Sequence, residues 1–281
     1  MDMLKNKLQI FVTLIFLSLA GWWISFQHVL AGQGLSIKWF DSVTYGLVAL
    51  IGAIIGFFTA RKWGGFKSIL GKSLLFFSLG LLAQYAGQLI AAYYIYIAKV
   101  GLPYPAWDDA AFFGSTILYI IAALYLAKAA GIKVSLKSVS YKIVAIVVPL
   151  ILLVVSFSIL MHNHQYNTKD PLSVFLDIGY PIGEALYISI AIVAYLLSRK
   201  FLGGIMKAGI LLVILALAVQ YVSDFTFIYQ SNRNIYVSGN YDDLFYLIAY
   251  FVMTTSMIKF HVIYNHLKSK TSIASESAEG K

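Results

Sequence analysis

The sequence predicts an all-α polytopic membrane protein with eight transmembrane helices. Three observations predict it. Of the 281 residues, 60% belong to the apolar and aromatic set and only 12% are charged, whereas a soluble domain carries roughly 25% charged residues. Eight segments reach the ~20 mostly apolar residues that a bilayer-crossing helix needs. The basic residues are sorted between alternate connections, as in chains that obey the positive-inside rule.

The first span, 8–30, follows Lys5 and Lys7. Its apolar run is longer than the core of a signal peptide, and Trp22-Trp23 is no small-residue cleavage site, so it is expected to persist as a span. The second, 40–60, lies between Lys38-Trp39 and Arg61-Lys62. The third, 68–98, carries Gln84-Tyr85-Ala86-Gly87-Gln88, and the fourth, 110–130, follows Asp108-Asp109. The fifth is 141–161. The sixth, 176–198, carries Glu184 and ends at Arg199-Lys200. The seventh, 206–229, carries Gln220-Tyr221-Val222-Ser223-Asp224. The eighth, 243–264, precedes a tail, 269–281, whose Ser, Ala, Glu and Gly content predicts a short disordered end. Residues 1–268 thus form one domain.

With both termini in the cytoplasm, 17 of the 21 Lys and Arg residues fall on the inner side. Lys38, Lys99, Lys169 and Arg233 are the outer exceptions. The acidic residues are sorted oppositely: only Asp2, Glu276 and Glu279 are inner. The net charge of +9 therefore reflects topology, not a nucleic-acid footprint. Cys is absent, which excludes disulfides, thiolate metal sites, iron–sulfur clusters and Cys nucleophiles.

A tandem duplication is expected, with halves 1–136 and 137–268. The Gln-Tyr-x-x-(Gln/Asp) pattern at Gln84 recurs at Gln220, an offset of 136 residues that also relates His28 to His164 and Asp41 to Asp177. Near the end the offset becomes 134, pairing Asp109 with Asp243. Four spans per half leave both halves in one orientation, the parallel-repeat arrangement. The inward-running helices share a second regularity. Asp41-Ser42, Asp108-Asp109, Gly183-Glu184 and Asp242-Asp243 are followed three residues on by Tyr45, Phe112, Tyr187 and Tyr246, positions on the same helix face. For Asp41, Asp108 and Asp242 the plain reading is helix capping.

Depth sets the cost of the polar groups. At about 1.5 Å rise per residue, Asp224, Gln220, Gln84, Gln88 and Glu184 share one layer between the midplane and the outer third of the bilayer. Gln84 and Gln88 share a face, as do Gln220 and Asp224. In-membrane polar groups turn toward the bundle interior or a wet cavity. The candidate ligand-binding set is therefore Gln84, Tyr85, Gln88, Asp109, Glu184, Gln220, Tyr221, Asp224 and Asp243. The competing reading is interhelical glue. Neither a cofactor nor a metal is expected, although His28 and His164 with outer carboxylates are the pair that would carry zinc. No H-E-x-x-H, P-loop, nucleophile-elbow or dinucleotide motif is present.

Three stretches carry a resemblance: Pro103-Tyr104-Pro105-Ala106-Trp107-Asp108-Asp109, Asp177-Ile178-Gly179-Tyr180-Pro181-Ile182-Gly183-Glu184, and Gly239-Asn240-Tyr241-Asp242-Asp243. Together they resemble the multi-helix membrane sensor regions that precede diguanylate cyclase or histidine kinase modules in bacterial and archaeal signalling proteins. Ala106, Asp108 and Glu184 depart from the usual Ser, Ala and Asp. The resemblance implies a sensor module here without an output domain, reporting to a separate protein partner through the inner helix ends around 259–270.

The function expected is thus a non-enzymatic membrane sensor or ligand-binding module. Its outward-facing, Tyr-lined cavity would take a small amphipathic ligand or lipid. The alternatives are a structural subunit of a membrane complex, a small-solute or proton-coupled transporter, and a zinc-dependent membrane hydrolase. The partners expected are the lipid bilayer, a small amphipathic ligand and a protein in the membrane or cytoplasm, and no nucleic acid.

Overall fold

The computed structural model describes residues 6–25, 42–100, 103–131, 137–162, 169–198, 204–233, 235 and 240–279. Among the described residues the chain is all helix apart from turns. The helices are α1 (Lys7–Ser25), α2 (Ser42–Lys62), α3 (Ile69–Ala92), α4 (Trp107–Ala129), α5 (Val139–Leu160), α6 (Pro171–Ser198), α7 (Lys207–Asn232) and α8 (Tyr241–Glu279). A π-helical turn, Tyr93–Ala98, extends α3. All eight are long and apolar enough to cross a membrane, so the chain is a multi-pass membrane protein.

Helix ends follow local chemistry. Pro171 starts α6 five residues before the expected 176, because proline suits the first turn, where its missing N–H is not needed. Ser68 caps α3 by accepting from the Gly71 N–H at 2.8 Å. Asp109 closes the start of α4 by accepting from the Ala106 N–H at 2.9 Å. The helix of α8 continues to Glu279, beyond Ser269 where the sequence suggests that a disordered tail begins.

Six helices form a closed ring in the order α2–α3–α4–α6–α7–α8, with α8 returning to α2. The neighbours α1 and α5 lie outside it, α1 against α8 and α2, α5 against α6 and α7. This explains why the spans of α1 and α5 are each only 11% buried while the ring spans run from 33% to 56%. Contacts fix the directions. Tyr45 reaches Asp243 and Lys62 reaches Asn265, so α2 and α8 run parallel. Asp109 meets Tyr180, Thr116 lies against Gly183 and Tyr119 packs on Tyr187, so α4 and α6 are parallel as well. The ring thus has two parallel seams, α8/α2 and α4/α6. One end of the bundle, where α2, α4, α6 and α8 begin, is acidic. The other carries Lys62, Lys67, Lys72 and Lys128.

The lower half of the ring, toward the basic end, is packed with Leu74, Phe77, Leu126, Val213, Met257 and Phe260. Hydroxyls there bond to helix carbonyls: Ser73 to Ala122 at 2.9 Å, Ser78 to Leu74 at 2.7 Å, Thr254 to Val48 at 3.1 Å. A bilayer supplies no water to backbone or side chains, so each such group must find an internal partner. Close helix approach relies on glycine, as two positions beside the polar side chains illustrate. Gly80 of α3 lies under the Tyr119 ring, and Gly46 of α2 lies against the Gln88 amide; a Cβ at either would overlap its neighbour.

Candidate functional site

Above that apolar half lies a polar layer to which every ring helix contributes. Its centre is Asp224 of α7. Oδ2 accepts from the Tyr187 hydroxyl of α6 at 2.9 Å. Oδ1 accepts from the Tyr246 hydroxyl of α8 and from Gln220 Nε2, both at 2.9 Å. The i,i+4 spacing of Gln220 and Asp224 makes the last contact, as the helix period requires.

A second knot joins α3, α4 and α8. The Tyr250 hydroxyl donates to Gln84 Oε1 at 3.1 Å and accepts from Gln88 Nε2 at 2.9 Å. Gln84 Nε2 donates to Ser115 Oγ at 2.7 Å. The rings of Tyr45, Tyr246 and Tyr250 stack between the two knots, with centroids 6.1–6.4 Å apart. Tyr119 of α4 packs edge-on against Tyr187, 6.1 Å between centroids.

The two parallel seams carry the same kind of contact. Tyr45 of α2 donates to Asp243 Oδ1 of α8 at 2.9 Å. Tyr180 of α6 donates to Asp109 Oδ1 of α4 at 3.2 Å. Both Asp residues are the third residue of an aromatic-Asp-Asp helix start, Trp107-Asp108-Asp109 and Tyr241-Asp242-Asp243.

Several buried oxygens in the layer have no hydrogen-bond partner among the described residues: Glu184 Oε2, Gln220 Oε1, Gln88 Oε1 and the Tyr119 hydroxyl. Glu184 is 2% exposed, Gln220 0% and Tyr119 1%. Glu184 lies one helical turn before Tyr187, which bonds to Asp224, and the Tyr119 ring packs against that same Tyr187. At the helix starts, Asp108 Oδ1 and both Asp242 oxygens also lack partners.

The sequence-predicted residues divide into three groups. Gln84, Gln88, Glu184, Gln220 and Asp224 meet in the interior layer. Asp109 and Asp243 serve the seams above it. Tyr85 and Tyr221, expected as cavity walls, are placed elsewhere. Tyr221 meets Ser156 of α5, 2.6 Å between hydroxyls, and Tyr85 is half-buried beside Gly46. The interior is lined by Tyr45, Tyr119, Tyr187, Tyr246 and Tyr250 instead. Three of these belong to the acid-plus-aromatic steps visible in the sequence. Tyr250 follows Tyr246 by one helical turn, and that spacing was the available signal for it. His28, His164 and Asp41 lie outside the described residues. Among the described residues no three His, Asp or Glu side chains form a metal-binding group.

Direct hydrogen bonds join Asp224, Gln220, Tyr187 and Tyr246, and Gln84, Gln88, Tyr250 and Ser115. A groove of about 550 Å³ lies apart from them at the α4/α6 seam, lined by apolar residues including Phe113, Phe175 and Ile182. Toward the acidic end the Tyr104 hydroxyl donates to Asp177 at 2.7 Å; partial burial and then that carboxylate hold its phenol above the usual range, so it stays neutral.

At the basic end Lys62 donates to Asn265 at 3.2 Å and the Trp63 indole donates to the Phe260 carbonyl at 3.1 Å. These bonds tie α2 to α8 far from the polar layer. Comparison with family models, with curated proteins and with solved structures gave no match.

Proposed function

We propose that the protein is a non-enzymatic sensor or ligand-binding module of the cell membrane, with the Asp224 layer as its binding site and α8 as its output. The observation that carries this reading is the span of the polar network. Asp224, Gln220, Tyr187, Tyr246, Tyr250, Gln84, Gln88 and Ser115 connect α3, α4, α6, α7 and α8 through direct hydrogen bonds. A ligand that re-partners any of these groups changes the packing of several helices at once, and a ligand shifts an equilibrium by its differential contacts with the two states.

The helix α8 supplies Asp243, Tyr246 and Tyr250 at one end and runs on to Glu279 at the other. A tilt or shift of α8 at the layer would therefore be delivered to a partner protein at the basic end. The excess of Lys and Arg at that end supports placing it, with both termini, in the cytoplasm. The matched seam contacts support a duplicated four-helix unit. Ring order is unchanged when α2–α4 exchange with α6–α8, while α1 and α5 break the correspondence.

The test is native mass spectrometry of protein purified in mild detergent, with Asp224→Asn and Tyr187→Phe beside it. A bound species present in the unsubstituted protein and lost in the variants is the expected result. A chain that carries nothing in any form and is recovered only with another subunit would favour the second reading, a structural subunit, which the dense internal bonding of the layer also suits.

A further inference from the structure

We infer that the basic end of the bundle, where α3 meets α4, binds an anionic phospholipid, with its headgroup phosphate between Lys72 and Lys128 and an acyl chain along the outer face of α4. This second site lies away from the Asp224 layer and does not depend on what that layer binds. Two cations share one ring there. The Lys72 ammonium of α3 lies 5.5 Å from the centroid of the Tyr125 ring, and the Lys128 ammonium of α4 lies 5.1 Å from it. The two charges are therefore within about 11 Å of each other, comparable to the Debye length of ~8–10 Å at ordinary salt, so they act jointly on one anion.

The chain itself supplies no counter-ion. Among the described residues neither ammonium has a carboxylate or a hydrogen-bond partner. Lys62, on the neighbouring helix, differs, because it donates to Asn265 at 3.2 Å. Apart from Glu276 and Glu279 near the end of α8, every acidic residue of the described chain lies in the polar layer or at the acidic end. In the ring, α2 separates α8 from α3 and α4. Depth then identifies the anion. Lys72 falls in the first turn of a span that begins at Ile69, and Lys128 in the last turn of one that ends at Ala129. Lysines so placed reach the interface, where apolar chain gives way to headgroups. Phosphate is the anion of that layer, and Lys binds it as a point charge.

Apolar surface separates a lipid from a soluble phosphate. The Phe66 ring stands edge-on to Phe76, 6.5 Å between centroids, and Phe76 stacks on Tyr125 at 5.9 Å. Phe66 is 65% exposed. Leu124 and Ile117 lie on the same face of α4 as Lys128 and deeper in the span, 44% and 46% exposed. A soluble phosphate uses none of this surface, whereas a phospholipid sets a chain against it. A zwitterionic headgroup carries its own ammonium, which the two lysines repel. A headgroup with net negative charge is therefore favoured, each nearby lysine adding to its attraction.

The experiment is native mass spectrometry of the detergent-purified protein during titration with phosphatidylglycerol or with phosphatidylcholine of matched chains. The expected result is a first adduct that forms roughly tenfold or more tighter with phosphatidylglycerol. The double variant Lys72→Gln/Lys128→Gln should lose that preference and bind phosphatidylcholine as before. Lys72→Arg/Lys128→Arg, which keeps both charges, should retain it. Lys207→Gln/Lys268→Gln removes the same charge from exposed positions on α7 and α8 and should shift phosphatidylglycerol affinity less than about twofold, since separated sites act independently. Lys128 is exposed and Lys72 half-buried, so the variants are expected to fold, which circular dichroism checks. Equal binding of the two lipids would overturn the inference. So would a preference that survives Lys72→Gln/Lys128→Gln. An equal loss in the α7/α8 pair would also overturn it, because it would assign the effect to the diffuse positive field of that end. Glycerol 3-phosphate, which has the phosphate but no chains, should compete only at roughly hundredfold or more higher concentration. Competition at equal concentration would make this a soluble-phosphate site and overturn the lipid assignment.

Discussion

Tyr45 gives its hydroxyl to Asp243, closing the α8/α2 seam at 2.9 Å, and the pair has a counterpart in Tyr180 and Asp109 at the α4/α6 seam. If the two seams are equivalent in role, Tyr45→Phe and Tyr180→Phe should cost similar amounts. Side-chain hydrogen bonds between membrane helices average about 0.6 kcal/mol. We expect each variant to lose about 0.5–1 kcal/mol in denaturant unfolding from detergent, and the double variant to lose the sum, because separated sites add. A loss confined to one seam would show that the two contacts do different work.

Tyr250 sits between two glutamines and serves both. Removing its hydroxyl in Tyr250→Phe leaves Gln84 Oε1 and Gln88 Nε2 each one partner short. The expected cost is about 1–3 kcal/mol, more than at either seam tyrosine. A double-mutant cycle with Gln88→Leu checks the geometry. Once Tyr250 is Phe, replacing Gln88 should cost less than it does alone, giving a coupling of about 0.6 kcal/mol or more. Strict additivity would mean that the two side chains do not share a bond.

Helix approach at Gly80 and Gly46 depends on the missing side chain. Gly80→Ala would force the Tyr119 ring off α3, and Gly46→Ala would displace the Gln88 amide. Overpacking of this kind costs about 1–3 kcal/mol. Gly114→Ala is the control, because an added Cβ there meets nothing within 4 Å and Ala is the better helix former. Thermal midpoints should fall for the first two and hold or rise for the third.

The separate fates of Gln84 and Tyr85 show what the sequence makes legible. Apolar length marks all eight helices, and i,i+4 spacing identifies Gln84 with Gln88 and Gln220 with Asp224 as pairs sharing a face. Both pairs do line the interior. Adjacent residues on a helix point about 100° apart, so Tyr85 and Tyr221 could not share that face. The tyrosines that do reach it come from other helices, through a ring order that no local pattern encodes. The sequence encodes the depth of Glu184, but its neighbours depend on α6 packing beside α7. Pro171 reads as a helix start, whereas the apolar run of the sixth span begins only at Leu176.

The sidedness proposed for the chain has a direct check, because the protein contains no Cys. Single replacements then report one position each without a background to remove. Lys67→Cys, between α2 and α3, and Lys137→Cys, between α4 and α5, lie in the connections at the basic end. Lys99→Cys, after the π-turn that extends α3, and Lys169→Cys, just before α6, lie at the acidic end. All four are surface positions, so the substitutions should change stability by no more than about 0.5 kcal/mol. In intact cells a membrane-impermeant maleimide should label positions 99 and 169, and it should reach 67 and 137 only after the membrane is opened. The opposite pattern would put the Asp224 layer nearer the cytoplasm and the end of α8 outside, which would reverse the direction in which a signal could travel along that helix. Labelling of all four from one side would contradict a helix count in which α3 and α5 each cross once.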